Sequence, residues 1–600
     1  MSNVNAAAVE SRIQQLGREV FAKVKAKKQK AAGAWWNSKL IEHSMKDEAL
    51  KVQLFRFTDV LPMLKDSKQV ARHLNEYFNS PGQQFPGFMS WGASLAGLSS
   101  ITAGIGAMAI RKSVEDMART FIAGSSPADA IKAVTAYRKK NLTATFDQLG
   151  EAVVSEAEAE ICHQKYLALL DELSRVAPSW PANPQIDSDA RGASPRINIS
   201  VKLSSLYSQL DSIDPIGSER GLQRRIAELF DRAMAAGAFI NIDMEDYRVK
   251  DLTLKIFKDT ASAPKYRGYR HIGIVLQAYL KDTSKDLGEL AAWAKQRGTP
   301  VTVRLVKGAY WDYETIHARQ HGWPVPVFEH KWETDANYEA CSRQLLEAYP
   351  HLEAAFGSHN VRSLVAALAF GEALGVPKNG LEIQGLYGMA DPLKEALAEA
   401  GYRVRVYMPY GELLPGMAYL VRRLLENTAN ESFLRQGFVE GVSEDKLLAV
   451  PAGKILPVSK PQGPPALKFE NEPDTSFLTE KERFDFSSAL NSVRKQFGKS
   501  WPLVIDGKEE SGGDGELNSL NPSNPSESVG RVAKASKQQA ERAVQAASKS
   551  ISGMAGRGSQ SARRDPAQSS GNHAADALRI VRMGSLRGRQ AVARSRRRRG

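Results

Sequence analysis

Arg422 and Arg423 stand side by side in AYLVRRLLEN (418–427), with Tyr419 and Glu426 three to four positions away. At helical spacing most of these side chains share one face. Two readings are open for such a face. It is solvated and holds an internal Arg–Glu pair, or its two planar guanidinium forks clamp a carboxylate while the tyrosine covers a small apolar ring. Pro415 suits the start of that helix, where its missing N–H does no harm. Just upstream, YMPYG at 407–411 brings a further phenol, Tyr407, to the end of an apolar run.

Groups of this kind need a scaffold, and the sequence offers eight β-rich runs separated mostly by amphipathic helical segments. They are Leu142–Leu149, Ile197–Leu203, Phe239–Met244, Ile272–Ala278, Val301–Val306, Glu353–Gly357, Leu381–Leu386 and Val404–Met408. Eight βα units over this length predict an α/β fold of the closed (βα)8, TIM-like kind, with chemistry at the carboxyl ends of the strands. No GxGxxG follows any of the runs, which disfavours an open dinucleotide-binding sheet.

Every predicted strand end carries polar groups: Asp147 and Glu151, Lys202, Asp243 and Glu245, Gln277 and Tyr279, Arg304 and Lys307 through Tyr310 and Trp311, Ser358-His359-Asn360, Gln384, and Tyr407. Any one of these could be a satisfied structural group. All eight ends together are harder to explain so, because burial is costly unless the groups pair or meet a ligand. Lys202, Arg304 and Lys307 point to an anionic ligand or cofactor. No HxH or HExxH spacing occurs, so no metal site is expected. A P-loop and a nucleophile elbow are missing as well.

Composition is that of an ordinary globular chain, 42% hydrophobic and 25% charged. The net charge of +14 invites a nucleic-acid reading, but residues 551–600 hold twelve Arg and two Asp, leaving the other 550 residues at only +4. Two distant cysteines, Cys162 and Cys341, fit buried thiols in a reducing, cytoplasmic setting. No cleavable leader is expected at the N-terminus, and the uncharged stretch 77–110 is too interrupted by polar residues for a membrane span. The texture divides the chain into a helical arm (1–75), a helical domain and linker (76–140), the barrel with its C-terminal helix (141–433), a connector (434–500), a short β-rich segment (501–550) and a basic tail (551–600).

These motifs resemble the proline dehydrogenase barrel of the proline utilization A (PutA) family, bifunctional bacterial enzymes of proline catabolism. The resemblance rests on FDQLGEA (146–152), ISVKLS (199–204), NIDMED (241–246), RLVKGAYW (304–311), SHN (358–360), IQGLYGM (383–389) and AYLVRRLLEN (418–427). It implies FAD-dependent oxidation of L-proline to Δ1-pyrroline-5-carboxylate, with electrons passed to a quinone through peripheral membrane contact. Arg422 and Arg423 would take the proline carboxylate, with Lys202 close by and Glu426 holding the pair. Tyr407, Tyr419 and Leu386 would wall the ring. Asp243 and Tyr310 would lie beside substrate and flavin, and Glu151 would support the cluster. FAD would rest on Gln277, Arg304, Lys307, Gly308, Ala309, Trp311, Thr334, His359, Asn360 and Gln384. A homo-oligomer is compatible with this reading.

Two departures from the family accompany the resemblance. Nothing in residues 1–50 resembles the DNA-binding domain that opens many relatives. Residues 502–550 resemble the start of the aldehyde dehydrogenase module, truncated before an NAD-binding domain, so the second step is not expected. A reading-frame shift near residue 550 would explain the tail; its rival is a basic, disordered segment that binds nucleic acid or lipid. Rival functions are a flavin-free barrel enzyme acting on another small anion, and an inactive scaffold.

Overall fold

Eight short runs rich in Val, Ile and Leu become the strands of a single closed sheet in the computed structural model. The structure describes residues 5–30, 119–150, 152–412, 419, 442–453 and 474–555, with scattered positions between 52 and 77. The strands are β1 (Leu142–Gln148), β2 (Asn198–Val201), β3 (Phe239–Ile242), β4 (Ile272–Gln277), β5 (Val301–Val306), β6 (Leu352–Gly357), β7 (Leu381–Leu386) and β8 (Arg403–Tyr410). Each pairs in parallel with its sequence neighbours, and β8 closes on β1. The eight-stranded TIM-like barrel expected from the sequence is therefore present, with strand ends within a few residues of those predicted.

Burial alternates along the strands in a way that sets up the site. Leu142, Ala144 and Phe146 on β1, Ile240 and Ile242 on β3, Val301, Val303 and Leu305 on β5, and Val404, Val406 and Met408 on β8 belong to one continuous apolar core. Each such side chain contributes about 1.5–3 kcal/mol on full burial. The intervening residues are polar and also buried: Thr143, Thr145 and Asp147, Ser200, Asn241, Arg304, Glu382 and Gln384, Arg405. With a side-chain period of two, one set faces the helical layer and the other fills the lumen.

Local chemistry starts the surrounding helices where the loops need them. Ser126 caps α1 (Pro127–Arg138) in a capping box with Asp129, and Pro127 takes the first turn. Asp214 caps α2 (Pro215–Ala235) by accepting from Gly217 N, again with a leading proline. Gly298, at φ +79°, ends α3 (Thr283–Arg297) in the left-handed conformation that a glycine adopts without strain.

The N-terminal helix Ala6–Lys30 buries Val9, Ile13, Leu16, Val20 and Val24, the stripe its spacing predicts. That stripe packs on the helices Val361–Ala373 and Asp391–Glu399 of the barrel. Arg362 ties it down, donating to Glu10 at 2.6 Å and to Glu339 at 2.8 Å.

Residues from Thr475 onward form a separate unit. It holds a helix, Glu480–Arg494, inside the span read as a connector. The capping box Thr479–Glu482 starts that helix, but its apolar residues are too few to have stood out. A strand Leu503–Ile505 turns through Asp506–Gly507 onto Lys508–Glu510, and Glu516–Asn521 forms a hairpin with Asn524–Ala533. A helix Lys537–Ala555 follows. Among its described residues only Ala489 and Ile505 bury apolar side chains, while Phe484, Trp501, Val504, Leu517, Leu520 and Val532 stand exposed.

Candidate functional site

Arg304 lies in mid-strand on β5, and its guanidinium reaches across the lumen to two strands that are not its neighbours. Nη1 donates to Asp243 Oδ1 at 2.7 Å and Nη2 to Ser200 Oγ at 2.9 Å. Asp243 is the first residue past β3; its second oxygen accepts from the Tyr407 hydroxyl of β8 at 2.7 Å, and Asn241 Nδ2 adds a donor at 3.1 Å. Lys202, the first residue past β2, pairs with Asp147 of β1 and donates to Tyr407 Oη at 3.2 Å. It lies 3.7 Å from Asp243. Hydrogen bonds between non-adjacent strands have to cross the barrel interior, so Arg304, Ser200, Asp243, Tyr407 and Lys202 meet within it toward its carboxyl end.

The charges of this network balance, two cations against two carboxylates. Tyr407 stays a protonated donor: burial, then Asp147 and Asp243, raise its phenol far above the usual range. Glu382 on β7 accepts from Arg405 at 2.8 and 3.0 Å and from Gln384 Nε2 at 2.7 Å, and it forms an ion pair with Arg403 at 2.9 Å. Burial works against its charge, yet the two arginines hold its carboxyl down at about 2. An anionic ligand entering a lumen so balanced needs further cations. Arg422 and Arg423, expected to supply them, lie outside the described residues, as do Glu426 and Glu151.

Arg304 Nε, Gln277 Oε1 and Gln384 Oε1 are among the buried polar atoms that find no hydrogen-bond partner among the described residues. Leaving such atoms unpaired costs roughly 1–3 kcal/mol each, which is the signature of a site that a polar ligand completes. Beyond β5 the backbone of Gly308 takes φ +131°, and a Cβ there would stand 2.4 Å from the Tyr279 ring. Only a glycine fits. Lys307 pairs with Asp335, which Lys331 also meets at 2.6 Å. Burial pulls the Lys307 amine down to about 8 despite that carboxylate, so a phosphate beside it would be welcome. These polar atoms, the Gly308 cradle and Lys307 together fit a ligand that carries both polar ring atoms and a phosphate.

The remaining expected residues fall around these two groups. Thr334 is buried on the helix Lys331–Glu347 beside Asp335. Trp311 opens the helix Trp311–Gln320, with Tyr310 at its cap, and its indole donates to the Phe328 carbonyl at 2.8 Å. Ala309 is exposed next to Gly308. Asn360 caps the helix Val361–Ala373, its side chain accepting from Ser363 N at 3.3 Å. His359 Nε2 accepts from Leu386 N at 3.0 Å, which places its proton on Nδ1. Leu386 is half-buried and Tyr419 is buried in the main core.

A family model for proline dehydrogenase matches residues 130–436, and one for the proline utilization A N-terminal domain matches 10–121. The chain belongs to the proline dehydrogenase family. Its curated relatives include the proline dehydrogenase of Deinococcus radiodurans, 32% identical over 333 residues that cover 55% of this chain and 93% of that one. The bifunctional protein PutA of Escherichia coli is 29% identical over 365 residues, 59% of this chain. This chain covers only 27% of the length of that protein. Among solved structures, PutA from Bdellovibrio bacteriovorus, inactivated by N-propargylglycine, matches with a TM-score of 0.78 and 42% identity. That match covers 90% of this chain and 53% of the other. This chain thus spans about half of the Bdellovibrio protein and about a quarter of the Escherichia coli one.

Several buried polar side chains of the barrel interior were not assigned to the site from the sequence. Asp147 and Glu245 were counted as strand-end groups but given no place in the site, and Ser200, Asn241, Glu382 and Arg405 were not singled out. Their signal was present, in polar residues at every second position of otherwise apolar strands.

Proposed function

We propose that this chain oxidises L-proline to Δ1-pyrroline-5-carboxylate, using FAD and passing the electrons to a quinone at a membrane surface. FAD, when bound, supplies the hydride acceptor, which no side chain can provide. Gln277, Arg304 and Gln384 would hold its ring, and Gly308, Ala309, Lys307, Trp311, Thr334, His359 and Asn360 the rest of it. Lys202 and the Arg422–Arg423 pair take the proline carboxylate, with Glu426 and Glu151 supporting them. Tyr407, Leu386 and Tyr419 close over the ring, while Tyr310 lines the same pocket.

What these residues contribute is orientation. A ring held between an aromatic wall and a cationic clamp presents one carbon to the acceptor, which replaces a bimolecular encounter by a fixed geometry. Asp243 keeps Tyr407 and Arg304 in place from below. The observation that carries this reading is the crossed network Arg304–Asp243–Tyr407–Lys202, set beside buried polar atoms that lack protein partners. Electron delivery to quinone asks only for peripheral contact, and no helix among the described residues is long and apolar enough to cross a membrane.

Anaerobic addition of L-proline to the FAD-loaded protein tests the proposal. Bleaching of the flavin absorbance is expected. Unchanged absorbance in a folded, flavin-containing sample would rule the reaction out, and failure to take up FAD at all would favour a flavin-free barrel enzyme.

A further inference from the structure

Glu245 is buried two residues beyond Asp243, and the reaction described above makes no use of it. Its Oε1 accepts from the backbone N–H of Ser204 at 3.0 Å and its Oε2 from the Ser204 hydroxyl. The same hydroxyl oxygen accepts from Ala152 N at 3.0 Å, and the Ser204 carbonyl accepts from Val153 N at 3.2 Å. Ser204 sits in the single turn Leu203–Ser205, whose capping residue is Lys202. One carboxyl group therefore joins three segments: the β3 end with Asp243, the β2 end with Lys202, and Ala152–Val153 downstream of β1. Ala152 adopts φ +58°, a conformation that a residue with a Cβ holds only when its surroundings impose it. Ser204 is the surrounding group that does so.

We propose that Glu245 is a positioning residue of the proline site, which acts through Ser204 to keep Ala152–Val153 and the turn bearing Lys202 in place against Asp243. This rests on the proline-oxidising reading. The hydrogens run one way, from Ala152 N–H to the Ser204 oxygen and from the Ser204 O–H to the carboxyl, so each bond polarises the next. The relay is strongest when Glu245 is ionised. Lys202 favours that charge and Asp246 opposes it, while burial, the largest influence, pushes the carboxyl up to about 7. Gln277 Nε2 meets the backbone carbonyl of Glu245 at 3.2 Å and not its side chain. The relay accordingly tightens as pH rises through neutrality.

The variants E245A, E245Q and S204A in the full FAD-loaded chain test this with two readouts. Steady-state kinetics should show KM for proline raised about tenfold in E245A and S204A with kcat changed less, as expected for a small displacement of binding groups. E245Q keeps an acceptor and a donor for Ser204. Its KM should stay near that of the wild type but lose the wild type's dependence on pH between about 6 and 8. Hydrogen exchange at the amides of Ala152 and Val153 should accelerate about tenfold in E245A and S204A, whether or not proline is turned over. Proline that fails to bleach the wild-type flavin defeats the catalytic reading alone, and amide exchange then still judges the tether. Unchanged exchange and unchanged KM in both truncations would overturn the proposal. So would an E245A defect that E245Q shares in full, since Gln keeps the bulk and the hydrogen-bonding groups and charge alone would then be at stake. If E245A does not fold, S204A decides.

Discussion

The Tyr407 hydroxyl donates to Asp243 Oδ2 at 2.7 Å, joining β8 to β3 across the barrel lumen. Neither strand pairs with the other in the sheet. The bond therefore depends on closure of the barrel, and it ties the wall of the proposed pocket to the carboxylate that also anchors Arg304. Y407F removes this donor while leaving the ring. A hydrogen bond to a charged group contributes about 1.5–3 kcal/mol, so kcat/KM for proline should fall roughly ten- to hundredfold, with flavin content unchanged. Steady-state assay with a saturating artificial acceptor measures it.

Arg304 should matter twice over. R304M takes from Asp243 the nearer of its two cations, leaving Lys202 at 3.7 Å, and breaking a buried pair typically costs about 3–5 kcal/mol. The lower end is expected here, because Asn241 and Tyr407 still reach Asp243. Urea denaturation reads that loss, and the ratio of flavin to protein absorbance reads the accompanying loss of FAD.

Gly308 has no room to change. In G308A the new methyl would meet the ring of Tyr279, which is itself almost wholly buried, and the backbone would have to keep φ +131°. Backbone strain of this kind costs on the order of 1–3 kcal/mol, and the variant should be purified largely free of flavin. Adding Y279A removes the clash but not the strain, so FAD uptake should recover only in part. Titration of the apoprotein with FAD distinguishes full from partial recovery.

Two buried carboxyls make stability depend on pH. Burial raises Glu245 and Glu314 from the ordinary 4.5 to about 7. Glu314 accepts from Tyr247 N at 2.7 Å, and among the described residues the cation that favours its charge is Arg248, the smallest of the influences on it. A raised acid binds its proton more tightly in the folded chain than in the unfolded one. Its contribution is thus complete below about pH 4.5 and is lost as pH rises through about 7. Melting temperature should therefore decline across that interval, against the gains that ion-paired carboxylates bring, and E314Q should flatten the decline. A pH series of melts on the wild type and E314Q checks the sign.

Much of the barrel was legible because a strand buried on its outer face repeats every second residue. Phe146, Ile242, Leu305 and Met408 announce that period wherever they occur. Site residues were legible where they follow a strand directly, as Lys202, Asp243 and Lys307 do. Glu382 and Arg405 were not, because a buried ion pair is made from residues on two strands and neither member marks itself. Ser204 and Glu245 stayed hidden for a similar reason: their pairing depends on how far two loops turn, which no local pattern records. The helix Glu480–Arg494 was missed in a segment whose prolines and glycines dominate its texture.

The period of two along the strands gives neighbouring positions different duties. On β5, Val303 and Leu305 are held by packing, whereas Arg304 between them is held by what it must contact across the lumen. Mutational tolerance read residue by residue along that strand should consequently oscillate in kind. Val303 and Leu305 would accept other aliphatic side chains of similar volume and refuse polar ones; Arg304 would refuse nearly everything, including residues that leave the protein fully folded. A barrel strand so divided can adjust its thermal stability through one set of codons and its chemistry through the set interleaved with it.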